Sequence, residues 1–218
     1  MTQRAVPVVL VATSGTGKTT LAHRLVDGPG HYVFSISATT RPPRPREQDG
    51  IDYHFLSQQA FEDRVAHGSF AEWASVHDRM YGTPRSELDA AAERGDHVVL
   101  DIDIQGARQI REAVPDATLI FVLPPSVDIM MARLTGRGTE KRENIARRLE
   151  SALDELQAVP EFDYVVVNDD LEECLSDIRG IVERGEAPAP PEQDAEGMRR
   201  VIVELLEGEY SADLQDSE

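Results

Sequence analysis

Residues 12–19 read Ala-Thr-Ser-Gly-Thr-Gly-Lys-Thr, between an apolar run and a stretch with helical periodicity. A strand, a glycine-rich turn and a helix in that order suit the binding of a polyphosphate. Glycines at 15 and 17 let the backbone curl, so that the N–H groups of Ser14 to Lys18 converge on phosphate oxygens at a helix N-terminus. Lys18 adds a point charge between β- and γ-phosphates, and the Thr19 hydroxyl is a ligand for Mg²⁺. Ala12 stands where the pattern as usually written has glycine. Thr13, Ser14, Thr16 and Thr20 complete the expected ATP-binding set. The motif points to a nucleoside triphosphate and leaves the reaction open.

A second cluster lies in residues 35–55. Arg41 and Arg44 are three apart and held among Pro42, Pro43 and Pro45. Two guanidinium forks in a stiff loop suit a phosphate dianion, and Tyr53 adds a hydroxyl donor. The charge pattern alone fits a solvated basic loop equally well.

The elements that must position these groups follow from hydrophobic patterning. Val6–Val11, His31–Ser37, His97–Asp103, Ala117–Leu123 and Tyr164–Val167 read as strands. Helices are expected at Lys18–Val26, 84–95, Gln105–Val114, 126–135, 141–158 and Leu171–Glu183. The alternation predicts an α/β fold, a parallel sheet flanked by helices. Short strands at Ile51–Leu56, Phe70–Val76 and Met80–Thr83, with a helix from Ser57, interrupt it and predict an inserted β-rich lobe. Asp101 ends a buried strand, and Asp103 falls on the same face by strand period. Arg133 and Arg137 are four apart, on one helical face. The stripe Ile145, Leu149, Ala152, Leu153 and Leu156 places Arg148 inward and Arg147 toward solvent. Trp73 is expected to pack beneath Glu72.

Several segments closely resemble the guanylate kinase family. They are Ser35 to Phe55, Phe70-Ala-Glu72-Trp73-Ala, Tyr81-Gly-Thr83, Leu100-Asp101-Ile-Asp103-Ile-Gln105-Gly106, Pro124-Pro-Ser126, Arg133 to Glu140, Arg147-Arg148-Leu and Val167-Asn168-Asp-Asp. The resemblance spans roughly residues 6–184. It implies that Ser37, Glu72, Thr83 and Asp103 meet guanine, while Arg41, Arg44, Tyr53 and Tyr81 meet the phosphate of GMP. It implies that Asp101 reaches Mg²⁺ through water, that Asn168 touches the adenine side of ATP, and that residues 126–158 form a closing lid. Lys18, Arg133, Arg137 and Arg148 would then serve transfer of the γ-phosphate from ATP to GMP, giving ADP and GDP. The chemistry agrees with that. Guanine offers N1–H and its 2-amino group side by side, and an ionised carboxylate such as Glu72 offers two acceptors. Thr83 can donate to O6. Two other readings stay open at this point: a binding module of the same fold without catalysis, and a kinase for another small phosphate ester.

The expected organisation is a domain over 1–185, with a core of about 1–37, 84–125 and 159–185. A GMP-binding lobe falls at about 38–83 and the lid at about 126–158. The net charge of −18 argues against nucleic acid or an anionic membrane as partner. Residues 186–218 carry ten acidic and two basic side chains and open with a proline-rich linker; they are expected to be a flexible extension or a loosely docked helix, with packing of Val201–Leu206 on the core or on a second subunit as the alternative. Cys174 is the single cysteine, which suits a reduced, cytoplasmic protein. The partners expected are ATP and GMP, with dGMP as a further acceptor.

Overall fold

The computed structural model describes residues 5–76, 78–136, 142–188 and 194–211. The chain divides into two compact units, Met1–Val9 with Ala22–Leu119, and Leu10–Leu21 with Ile120–Glu218. Strand β1 (Val8–Ala12) is buried along its whole length, as its unbroken apolar sequence requires. Strands β2 (Tyr32–Phe34) and β7 (His97–Asp101) pair in parallel, and so do β8 (Thr118–Leu123) and β9 (Tyr164–Val167). The sheet order is β2-β7-β1-β8-β9.

In the first unit a four-stranded sheet is ordered β4-β3-β6-β5. Its strands are β3 (Ala38–Thr39), β4 (His54–Phe55), β5 (Phe70–Val76) and β6 (Arg79–Pro84). Helix α2 (Gln58–Ala66), capped by the Ser57 hydroxyl, buries Phe61 against Ala38 and Phe70. Helix α3 (Arg85–Arg94) ends on Gly95 in the left-handed conformation. Helix α4 (Ile104–Ala113) begins on Asp103, whose carboxylate caps it.

Several strands are shorter than their patterns predict, among them His31–Ser37, which pairs only over Tyr32–Phe34. The run at 51–56 forms a strand only at His54–Phe55. The N–H groups of Ile51 and Asp52 both bond to the Gln48 carbonyl, which bends the chain and leaves Ile51 exposed. The strand read as His97–Asp103 stops at Asp101, because Asp103 has left the ladder to cap a helix.

The second unit includes the start of α1 (Lys18–Asp27), up to Leu21, then α5 (Val127–Thr135) and α6 (Arg142–Gln157). It closes with α7 (Leu171–Arg184) and α8 (Ala195–Gly208). The buried face of α6 is Ile145, Ala146, Leu149, Ala152 and Leu156, close to the predicted stripe. Cys174 of α7 is buried, which pushes its thiol up to about 12, with Asp177 adding to the effect.

Helix α8 departs from the expectation of a flexible extension. Met198, Ile202, Leu206 and Tyr210 recur every four residues and are all buried. α8 packs on α6 and α5. Arg142 of α6 lies 4.7 Å over the Tyr210 ring and donates to the Glu209 carbonyl at 2.6 Å. Glu196, Glu204 and Glu207 of α8 are exposed, where water screens their charge, and the Glu209 carboxylate lies 3.6 Å from Arg142.

Candidate active site

Glu72 and Thr83 face each other across the β5–β6 ladder. Directly opposed residues of an antiparallel pair share a face. Thr83 Oγ1 donates to Glu72 Oε1 at 2.6 Å, and both residues are buried, Glu72 at 5% exposure. The register of β5 slips by one residue between Phe70 and Glu72, a bulge that re-aims the side chain. Burial raises the Glu72 carboxyl to about 6; the Thr83 hydroxyl works against that shift and the nearby Asp103 charge adds to it. Asp103 itself is exposed, with Oδ1 accepting from the Gly106 N–H at 2.8 Å. Trp73 does not lie beneath Glu72. Consecutive strand residues point to opposite faces, and Trp73 is 39% exposed.

Arg41 is gripped by Glu47. Its two terminal nitrogens each donate to a Glu47 oxygen at 2.9 Å, and Glu47 also accepts from the Arg44 backbone N–H at 2.6 Å. The fork expected for phosphate thus holds a carboxylate, which presents a similar pair of oxygens. The Arg41 side chain and then the Arg44 N–H hold the Glu47 carboxyl below its usual range. Arg41 stacks 5.3 Å over Tyr53, and the Tyr53 and Tyr81 rings meet edge-on at 6.2 Å. The structure therefore gathers Arg41, Tyr53 and Tyr81, and adds Glu47, which sequence reasoning missed. A Glu six residues after an Arg in a proline-stiffened loop was the available signal. Arg44 is exposed in the same loop, and Ser37 is half-buried just before β3, its carbonyl accepting from the His54 N–H.

In the second unit the glycine-rich turn runs from the end of β1 into α1. Gly15 and Gly17 have φ of +85° and +90°. A Cβ would come within 3.1 Å of Leu134 at Gly15 and 3.2 Å of the Asn168 amide at Gly17, so glycine is required at both. The hydroxyls of Thr13 and Thr16 bond to each other at 2.8 Å. Lys18 is half-buried at the first position of α1, while Thr19 and Thr20 are exposed. The Ser14 N–H, one of the expected cradle donors, is taken by Glu155 of α6 at 3.2 Å.

Asn168 is buried, and its amide donates to the Thr16 carbonyl at 2.7 Å. Arg133 donates to the same carbonyl at 3.2 Å and to the Asn168 carbonyl at 3.3 Å. Both side chains thus brace the turn. A buried amide needs such partners, and here the Asn168 amide finds one in the turn itself. Arg148 is half-buried and Arg147 exposed. Arg137 lies outside the described residues. Asp101 is half-buried at the end of β7.

The family model for guanylate kinase matches residues 4–185. A curated guanylate kinase of Neisseria meningitidis is 49% identical over 174 residues, 80% of this chain and 85% of that protein. One of Myxococcus xanthus is 47% identical over 176 residues, 80% of this chain and 84% of that protein. A crystal structure of guanylate kinase from Anaplasma phagocytophilum superposes with a TM-score of 0.65 at 30% identity, over 94% of this chain and 95% of that one. With sequence, fold and relatives in agreement, the chain belongs to the guanylate kinase family.

Proposed function

We propose that this chain transfers the γ-phosphoryl group of ATP to GMP, and that the buried Glu72–Thr83 pair reads guanine. That pair carries the proposal. An ionised Glu72 accepts from the two adjacent donors of guanine, whereas adenine turns an acceptor toward it. A buried site built for specific hydrogen bonds rejects an analogue lacking them by about 10⁴–10⁵. Ser37 and Asp103 complete the base contacts, and Arg41, Arg44, Tyr53 and Tyr81 hold the acceptor phosphate. When GMP enters, its phosphate replaces Glu47 on the Arg41 fork.

On the donor side, the N–H groups of the 12–19 turn and Lys18 bind the ATP phosphates, with Asn168 and Arg133 fixing the turn's backbone. Catalysis of phosphoryl transfer is mainly positioning and charge stabilisation. Lys18, Arg133, Arg137 and Arg148 supply positive charge to the transferring group. The Thr19 hydroxyl and the Asp101 carboxylate, the latter through water, are hard oxygen donors that suit Mg²⁺. Mg²⁺, when bound, neutralises charge on the β- and γ-phosphate oxygens. Exclusion of water from the bound phosphates suppresses ATP hydrolysis without acceptor. No helix among the described residues is long and apolar enough to cross a membrane.

A coupled assay of ADP release with GMP, dGMP, AMP or no acceptor tests the proposal. Turnover with GMP and dGMP, and none with AMP or water, is the expected result. Equal turnover with AMP overturns the guanine reading, and no turnover with any acceptor overturns the enzymatic one.

A further inference from the structure

We propose that Gly106 is a specificity-determining position, holding both base-reading carboxylates by its N–H and by its lack of a side chain. The inference rests on the guanine-reading role of Glu72. Gly106 is the third residue of α4, where its N–H donates to Asp103 Oδ1 at 2.8 Å. Its Cα faces Glu72. A Cβ added there would lie 2.9 Å from Glu72 Oε2, closer than real Cβ atoms approach, with tight contacts of 3.3 Å to Glu72 Cδ and 3.2 Å to Ile102 Cδ1.

The backbone cannot absorb that intrusion. Gln109, three residues on along α4, makes reciprocal hydrogen bonds to Trp73. Its Oε1 accepts from the Trp73 N–H at 3.1 Å and its Nε2 donates to the Trp73 carbonyl at 2.8 Å. Helix and strand are thus pinned together beside Glu72. On the other side the carboxylate is bonded to Thr83, in a ladder whose register the bulge sets. Only the Glu72 side chain is left to move, and it moves off the position where guanine meets it. Gly106 is not among the glycines at positive φ, so alanine fits its backbone. Alanine is also the better helix former, so folding is not expected to suffer.

The test compares Gly106→Ala, Glu72→Gln, Glu72→Asp and the Gly106→Ala/Glu72→Asp double variant in the full chain. Each is assayed with GMP and with inosine monophosphate, which lacks the 2-amino donor. Gly106→Ala is expected to raise KM for GMP by about 10–100-fold, the size of effect a misplaced contact produces. It should also narrow the preference for GMP over inosine monophosphate. The kcat, the KM for ATP and the Tm should be little changed. Adding Gly106→Ala to Glu72→Asp, whose acid is one methylene shorter, should cost much less than adding it to the natural chain. If Glu72→Gln loses discrimination and Gly106→Ala keeps it, the proposal is overturned. If neither variant changes discrimination, the guanine-reading role of Glu72 fails, and this proposal with it. A matching fall in kcat, in affinity for both substrates and in Tm marks Gly106 as structural only, and also overturns it.

Discussion

The raised carboxyl of Glu72 makes acceptor binding sensitive to pH just below neutrality. In the free protein the group titrates at about 6 rather than 4.5, chiefly through burial. Guanine needs the ionised form, because a protonated carboxyl turns a donor toward a donor. At pH 5 only about a tenth of the chains would carry the anion, against about three quarters for an ordinary Glu. The kcat/KM for GMP should therefore fall about tenfold between pH 7.5 and 5, with little change in kcat at saturating GMP. The phosphate of GMP also titrates near 6, since a phosphomonoester has its second pKa at about that value. Dividing the wild-type profile by that of Glu72→Gln cancels this contribution. A stability change of the opposite benefit accompanies it. An acid raised on folding takes up its proton more readily in the native state, so its cost to stability is absent below 4.5, grows through that window and is complete above 6. The cost is about 2 kcal/mol at pH 7, and Glu72→Gln should raise Tm at pH 7 but not at pH 4.5. A ratio profile that stays flat from pH 7.5 to 5, together with an unchanged Tm in the Gln variant, refutes the reasoning.

Four further outcomes are expected. Lys18→Ala should lower kcat by at least about 10²–10³-fold while calorimetry still detects GMP binding, and near-normal turnover would remove Lys18 from the donor site. Arg41→Lys keeps the charge but loses both the fork and the stacking on Tyr53, so KM for GMP should rise about tenfold or more with KM for ATP unchanged. Ile202→Ala, in the buried face of α8, should cost about 2–5 kcal/mol and lower the Tm by several degrees in a melting experiment. A chain ending at Glu186 should be destabilised too, and a melting curve equal to that of the full chain would show that α8 contributes nothing.

The donor site was the more legible of the two from sequence. A strand, two glycines and a helix are local in the chain, and their left-handed φ values are what the sequence pattern demands. Glu72 and Thr83 are eleven residues apart and became readable only through resemblance, because their pairing depends on the β5–β6 register and its bulge. The grip of Glu47 on Arg41, the Gln109 clamp on Trp73 and the occupation of the Ser14 N–H by Glu155 are side-chain choices that no periodicity encodes. Helix α8 is a different case. The four-residue spacing of Met198, Ile202, Leu206 and Tyr210 is present in the sequence, but the acidic residues around it give the segment the composition of a solvated tail. The outward position of Trp73 follows from strand alternation once Glu72 faces inward.

The buried thiol of Cys174 has a practical consequence. With one cysteine in the chain, enclosed in α7 and titrating near 12, the native protein offers a thiol-reactive dye or spin label almost nothing to attack. New cysteines can be placed one on an exposed position of α2 and one on an exposed position of α6 without first removing the natural one. Each would react in its own right, on an otherwise unaltered background. A resonance-transfer or dipolar distance distribution between two such probes, recorded with and without nucleotides, would then test as a measured length for a change on binding.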